Sequence, residues 1–307
     1  YASDPAAVTS AYVAEELGLP GNDVESVRIL SEKDKFRAFL LENDFNVPEF
    51  RIYDDWNEID DLPLPFPFIV KPVDSSGSKG ISIVDDASSF ERSVESAFTR
   101  SRSHRIIIEE IIETPHGQIH GDCYFLDGKM IMSCLGDHHF RPGKLAPYST
   151  TLPSTLSEDE MERIEDDISR FIEKCGYRNG PINVEARIDK DGEIYLVDMG
   201  ARSGGNYIPQ LVELATGFDV VAATIEGALG NFSGLGAEPY HMRGYNSHCV
   251  LGSDEEGLFR DIRYSPAIRD RIVSEYLYLR PGDSINIFED SSNTIGVLLL
   301  SYSSMDE

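Results

Sequence analysis

Lys71 closes a short apolar run, stands before Pro72, and is followed at positions 74–80 by the turn Asp-Ser-Ser-Gly-Ser-Lys-Gly. Small residues let backbone N–H groups come close to phosphate oxygens, and a neighbouring lysine supplies positive charge. No Gly-x-x-x-x-Gly-Lys-Ser/Thr string occurs, and here the lysine precedes the turn, so this is not a Walker-type loop. Alone, the same residues also describe a hairpin whose lysine lays its stem on the strand and its head in water. A second group is Glu185, in Ile-Asn-Val-Glu-Ala, and Asp198, in Tyr-Leu-Val-Asp-Met, separated by the turn Asp-Lys-Asp-Gly at 189–192. Carboxylates on one face of two adjacent strands suit a hard cation such as Mg²⁺, which takes a few protein oxygens and shares phosphate. Arg202 follows four residues after Asp198 in Gly-Ala-Arg-Ser-Gly-Gly-Asn, close enough to bond the same phosphate. An exposed carboxylate pair beside a surface turn is the plain alternative.

Other polar clusters suggest less. His138 and His139, with His116 and His120, match no zinc spacing and point to structural or substrate-contacting roles. Arg141 and Lys144 offer charge for a carboxylate substrate or form a solvated basic turn. The acidic runs at 158–162 and 254–256 read as solvated faces.

Elements of both periods alternate along the chain, which indicates an α+β or α/β class. Helical patterns cover 6–17 and a stretch from Ser31, where Ser31 and Asp34 have the spacing of a capping box and Phe36, Phe39 and Leu40 mark one face. Strands are expected at 68–71 and 81–84 around the Gly/Ser turn, and at 105–112 after a helix over 89–100. A hairpin is expected across Asp127-Gly128, between strands at 121–126 and 129–133. Ser157 and Glu160 form a second capping-box pattern. Behind it, Met161, Ile164, Ile168, Phe171 and Cys175 make a stripe that Gly176 ends. A hairpin over 182–188 and 193–197 carries Glu185 and Asp198, helices follow at 208–215 and 220–229, and the remainder reads mostly as β. The clearest compositional break lies near residue 232.

The whole chain has 307 residues, 41% of them hydrophobic, enough for a packed core and about two domains. Lys plus Arg total 27 and Asp plus Glu 54, so 27 − 54 leaves a charge of −27, which disfavours nucleic acid and anionic membranes as partners. No uninterrupted apolar run approaches the ~20 residues that cross a bilayer. Cys123, Cys134, Cys175 and Cys249 are far apart and form no paired motif, so a reducing cytoplasm is the expected setting.

The order of Lys71 with its loop, Ile106-Ile107-Ile108-Glu109-Glu110-Ile111-Ile112, Val184-Glu185, and Leu196-Val197-Asp198-Met199-Gly200-Ala201-Arg202, with Asp34-Lys35 upstream, resembles the ATP-grasp superfamily of ADP-forming ligases. That resemblance implies an α+β ATP-grasp fold in which two lobes clamp ATP, a small lobe at about 60–112 and a large lobe at about 113–232. Residues 233–307, with Arg280-Pro281-Gly282-Asp283 and Ile295-Gly296, are similar to the β-rich segment that completes the large lobe in amino-acid-ligase-like members. Residues 1–30 look like the tail of the domain that precedes the grasp. By the same resemblance Lys35 and Lys71 hold ATP phosphates, and Ser75, Ser76, Gly77, Ser78 and Gly80 form the phosphate loop. Glu110 and Ile112 read adenine, Gln118 stands near the ribose position, Glu185 and Asp198 bind Mg²⁺, and Arg202 with Lys71 stabilises the transferred phosphate. Gly200 departs from the family's Glu-x-Asn-x-Arg pattern and offers no side chain to a second ion. The implied activity joins a small-molecule carboxylate to an amine through an acyl phosphate, in a chain able to form homodimers. A carboxyphosphate-forming ligase of the carbamoyl-phosphate or purine type, or a non-catalytic ATP-binding module, are the alternatives.

Overall fold

The computed structural model of the chain describes residues 3–59, 62–236 and 240–305. Three helices come first, α1 (Asp4–Leu17), α2 (Val24–Ser31) and α3 (Lys33–Glu42). Asp23 opens α2 by accepting Ser26 N at 2.9 Å. The expected capping box at Ser31 and Asp34 does not form. Ser31 is instead the last residue of α2 and donates back to Val27 O at 2.7 Å, a local bond always open to a helical serine. Asp34 is buried and paired with Arg105 at 2.6 Å.

A small lobe follows, made of β1 (Phe50–Tyr53), β2 (Phe68–Pro72), β3 (Ser82–Val84), α4 (Ala87–Arg100) and β4 (Ile106–Glu110). The strands form an antiparallel sheet in the order β1-β4-β2-β3. α4 lays Val94 and Ala97 on Phe68, Val70, Ile106 and Ile108 to make the lobe's core. Strand alternation therefore sends Ile107 and Glu109 to the opposite face of β4, towards the large lobe.

The large lobe contains β5 (Gln118–Leu126), β6 (Lys129–Phe140), β7 (Pro147–Leu152), α5 (Glu158–Cys175), β8 (Gly180–Ile188), β9 (Ile194–Gly200), α6 (Ile208–Thr216) and α7 (Val220–Ala228). It continues through β10 (Tyr245–Leu251), β11 (Gly257–Leu258), α8 (Pro266–Arg269), β12 (Ile272–Leu277), β13 (Ser284–Ile285) and β14 (Gly296–Tyr302). An eight-stranded sheet runs β12-β14-β10-β7-β6-β5-β8-β9, so three strands from beyond residue 232 extend the sheet begun by β5 to β9. The Ser157–Glu160 capping box and a left-handed Gly176 bound α5 as the sequence indicates. α1, α2, α3 and α5 cover one sheet face, with Phe36, Phe171 and Ile168 packed on Val184 and Leu196. α6 and α7 cover part of the other, over Tyr124, Met132 and Leu299. Among the described residues no single helix is long and apolar enough to cross a membrane.

Candidate active site

In β9, strict alternation would place Asp198 with Ile194 and Leu196, on the face packed against the helices. A β-bulge prevents this. Ala186 pairs with Leu196, but the next pair is Glu185 with Asp198, so Val197 is the unmatched residue. One inserted residue re-aims everything beyond it, and here it turns Asp198 onto the cleft face directly opposite Glu185. The carbonyls freed at the bulge are satisfied by Arg37 of α3, whose guanidinium donates to Val197 O at 2.7 Å and Leu196 O at 3.3 Å.

Arg37 also donates through Nε to Glu109 Oε1 at 2.7 Å, and Lys71 Nζ lies 2.6 Å from Glu109 Oε2. Burial would push the Glu109 carboxyl up, but the Arg37 and Lys71 charges overcome it and hold it at about 2. This triad ties the small lobe to the bulge. One helical turn before Arg37, Lys33 reaches Asp198 Oδ2 at 2.7 Å and stands 3.5 Å from Ser75 O in the Gly/Ser turn. Burial opposes the charge on Lys33, yet Asp198, Asp4 and Glu185 raise its pKa. Arg202 donates to Asp4 Oδ2 at 2.9 Å. Asp4 is held below the usual carboxylate range because the Arg202 and Lys33 charges exceed the effect of its burial. Glu185 differs: its only hydrogen bond among the described residues comes from Gln118 Nε2 at 2.9 Å. Burial and the nearby Asp198 charge push its carboxyl up, against Lys33, Lys71 and Arg187.

Ser75, Ser76 and Gly77 line the same cavity as Glu185, Asp198, Lys33 and Arg202. The loop is tethered to the large lobe by Ser78 Oγ donating to Leu145 O at 3.2 Å and by Ser291 N donating to Gly77 O at 3.4 Å. Beside it, Ile69, Ile83, Ile112, Leu145 and Leu196 line an apolar slot between the lobes, with Lys71 at one side. A polar row crosses the sheet floor. Arg187 donates to Gln118 Oε1 at 3.1 Å, and the His120 and His138 rings stack at 4.1 Å. Burial lowers His120 to about 3 and His248 to about 4, so both are neutral. Asp122 is fully buried and accepts Asn183 Nδ2 at 2.9 Å and Gly204 N at 2.8 Å, which fixes the Arg202 loop to β5. Only glycine fits there, since a Cβ at Gly204 would lie 2.8 Å from Ile208 Cβ.

The structure brings together Lys71, Ser75, Ser76, Gly77, Glu185, Asp198, Arg202, Gln118 and Ile112. It does not bring Lys35, which points outward to Glu25 at 3.7 Å. Two residues along a helix is a rotation of about 200°, so Lys33 and Lys35 face opposite ways, and Lys33 is the lysine in the cleft. Glu110 is exposed, accepts Glu49 N and lines the apolar slot with Ile112, whereas Glu109 is the buried acid of that strand. Gln118 braces Glu185, and Gly80, at φ +75°, closes the loop against Arg100 outside the cavity. Lys33, Arg37, Glu109, Asp4 and Asp122 were missed by the sequence reading. The Lys33/Arg37 spacing of one turn and the alternation Ile107/Glu109 were signals for three of them. Among the described residues no three His, Cys, Asp or Glu side chains converge as a ready metal cage. Two carboxylates facing a Gly/Ser turn nonetheless fit Mg²⁺, which keeps water and phosphate among its ligands, and the lack of an ion pair to Glu185 among the described residues agrees with that fit.

Residues 64–210 match the ATP-grasp domain family. The chain is similar to an uncharacterized protein, y4rH, of Sinorhizobium fredii, 26% identical over 94% of this chain and 60% of the relative. It is 23% identical to carnosine synthase 1 of Gallus gallus over 74% of this chain and 26% of that protein, so it spans less than two thirds of the length of either relative. Among solved structures, the L-amino acid ligase of Bacillus licheniformis superposes with a TM-score of 0.86 at 24% identity, covering 99% of this chain and 76% of that one. An N5-carboxyaminoimidazole synthetase of Staphylococcus aureus complexed with ADP has a TM-score of 0.75 at 12% identity, over 100% of this chain and 76% of that one.

Proposed function

From the premise that this chain has an ATP-grasp fold and carries an ATP-grasp domain at residues 64–210, we propose that it is an ADP-forming ligase joining a carboxylate to an amine. The observation that carries this reading is the bulge-set pair Glu185 and Asp198, facing Ser75, Ser76 and Gly77 across a cavity that also holds Lys33 and Arg202. Adenine fits the apolar slot between the lobes, and Lys71 exchanges part of its bond to Glu109 for phosphate oxygens. Lys33 and the small residues of the loop hold the β- and γ-phosphates. Glu185 and Asp198 would hold Mg²⁺, which when bound neutralises charge on the phosphates. The substrate carboxylate attacks the γ-phosphorus, the bond to the β-phosphate oxygen breaks, and ADP leaves. The amine then attacks the acyl carbon and phosphate departs. Arg202, freed from Asp4, stabilises the charge that moves through these steps, so the protein contributes mainly position and fixed charge.

The similarity to an amino-acid ligase and a carnosine synthase supports amino-acid or peptide-like substrates. Release of phosphate from ATP, measured across pairs of amino acids and with bicarbonate, tests the reading. Amine-dependent release is expected. Bicarbonate-dependent release would favour a carboxyphosphate-forming enzyme, and tight ATP binding without release under any condition would favour a binding module.

A further inference from the structure

A second cavity of about 210 Å³ lies between α1 and α7, beside the start of β8 and the end of β9, and Arg202 is the one lining residue that it shares with the reaction cleft. We infer that this groove receives the bulky apolar side chain of an acid substrate whose carboxylate rests on Arg202. The inference deepens the ligase reading above and rests on it for the role of the carboxylate.

The sheet floor changes character along two neighbouring strands. On β5 the residues facing this side run His120, Asp122, Tyr124, and on β8 they run Glu185, Asn183, Pro181, with Asp122 opposite Asn183 and Tyr124 opposite Pro181. The floor therefore passes from charged to apolar within four residues, which matches a molecule with an ionic head and an apolar body. Tyr124 presents its ring, because its hydroxyl is already committed to Ala223 O at 2.8 Å. The asparagines at the mouth are committed too: Asn22 bonds the backbone of Arg178 and Asn179, and Asn179 accepts Asp127 N. Away from Arg202 the groove thus offers mainly apolar surface, from Ala11, Ala14, Tyr124, Pro181, Ala228 and Phe232.

Its walls are kept low by small residues. Gly227 lies inside α7 without a left-handed φ, so nothing in the backbone requires glycine, and glycine weakens a helix relative to alanine. A Cβ there would stand 3.3 Å from the Phe232 ring and 3.4 Å from Tyr124 Oη, inside the groove. Ala14 lines the opposite wall from α1, the helix whose first residue, Asp4, holds Arg202. A cavity of ~150 Å³ is known to take a benzene ring, so this volume accommodates a phenyl or indole group.

The test fills the groove from each wall separately, with Ala14→Phe and Gly227→Leu, and titrates L-phenylalanine and glycine into the protein with Mg²⁺ and a non-hydrolysable ATP analogue. The expected result is that phenylalanine binds at least tenfold more tightly than glycine, and that both variants lose that preference while binding the nucleotide normally. Retained phenylalanine preference in either variant that still binds nucleotide overturns the inference, as does equal binding of the two amino acids by the unaltered protein. Amine-dependent phosphate release insensitive to both substitutions would sink the groove and leave the ligase. Loss of phenylalanine binding in both variants, in a protein that never releases phosphate, would keep the groove and sink the ligase.

Discussion

Where the two lobes meet, the Glu109 side chain is 2% exposed and lies between Arg37 at 2.7 Å and Lys71 at 2.6 Å; opposite the Gly/Ser turn, Glu185 accepts one amide bond and makes no ion pair among the described residues. Burial acts on both carboxylates in the same direction. Two cations reverse it at Glu109, which titrates at about 2, whereas at Glu185 burial and the neighbouring Asp198 leave the carboxyl raised. The fold supplies a full set of counter-charges to the acid that joins the lobes. It leaves the acid that faces Ser75, Ser76 and Gly77 without an ion pair among the described residues. The two carboxylates thus differ less in burial than in what the protein places in contact with them.

The largest effect expected from this contrast is on stability. Glu109→Ala leaves the Arg37 and Lys71 charges buried without their counter-charge and should cost about 3–5 kcal/mol in equilibrium unfolding. Glu185→Gln should leave stability unchanged or raise it, because it removes repulsion from Asp198; the opposite ranking would break the comparison. The pH dependence follows the same logic. A carboxylate whose folded pKa is depressed contributes stability that is present above its ordinary 4.5 and is lost as pH falls towards about 2, roughly 3 kcal/mol for Glu109. His120 and His248, neutral in the fold with lowered pKa values, also favour the unfolded, protonated chain as pH falls below 6.5. The raised carboxyls of Asp122 and Glu185 act the opposite way, so urea unfolding between pH 7 and 3 should show a net loss, and Glu109→Gln should flatten the part below pH 4.5.

Effects on activity come next. Glu185→Gln should lower Mg²⁺-dependent phosphate release at least a hundredfold, about 2.7 kcal/mol of barrier, with the melting temperature preserved. Lys71→Ala removes a charge-assisted bond to phosphate worth about 1.5–3 kcal/mol, so calorimetry should show ATP affinity about tenfold weaker or more. Gly200→Asn should matter least. Gly200 has no left-handed φ, and a Cβ there meets Asp4 Oδ1 at 3.2 Å and Arg202 Cζ at 3.3 Å, both ends of flexible side chains. The added amide is expected to leave stability within about 1 kcal/mol and to preserve or strengthen the Mg²⁺ dependence. A large loss of stability would show that the strand end cannot admit a side chain.

Much of this architecture was legible in the sequence where one local signal sufficed. The Ser157–Glu160 cap, the α5 stripe and the hairpin turns each need only neighbouring residues, and the structure has them. The pairing of Glu185 with Asp198 was also legible, though its cause was not, because the bulge at Val197 depends on Arg37 reaching across from α3. Lys35 shows the usual failure. It stands two positions from Lys33, the lysine that faces the cleft, and only packing against a partner decides which face of a helix turns inward. Asp4 and Asp122 carried no signal at all, since their partners Arg202 and Gly204 are remote in the chain.

The most direct test of the central claim is the titration of the Glu185 carboxyl, followed by ¹³C NMR with the glutamates labelled, in the presence and absence of Mg²⁺ and ATP. In the free protein it should titrate above the ordinary 4.5, and with Mg²⁺ and ATP it should fall well below, while Glu109 stays ionised throughout. A Glu185 carboxyl that titrates at the same pH with and without Mg²⁺ and ATP would contradict the assignment of this cleft as a magnesium–nucleotide site.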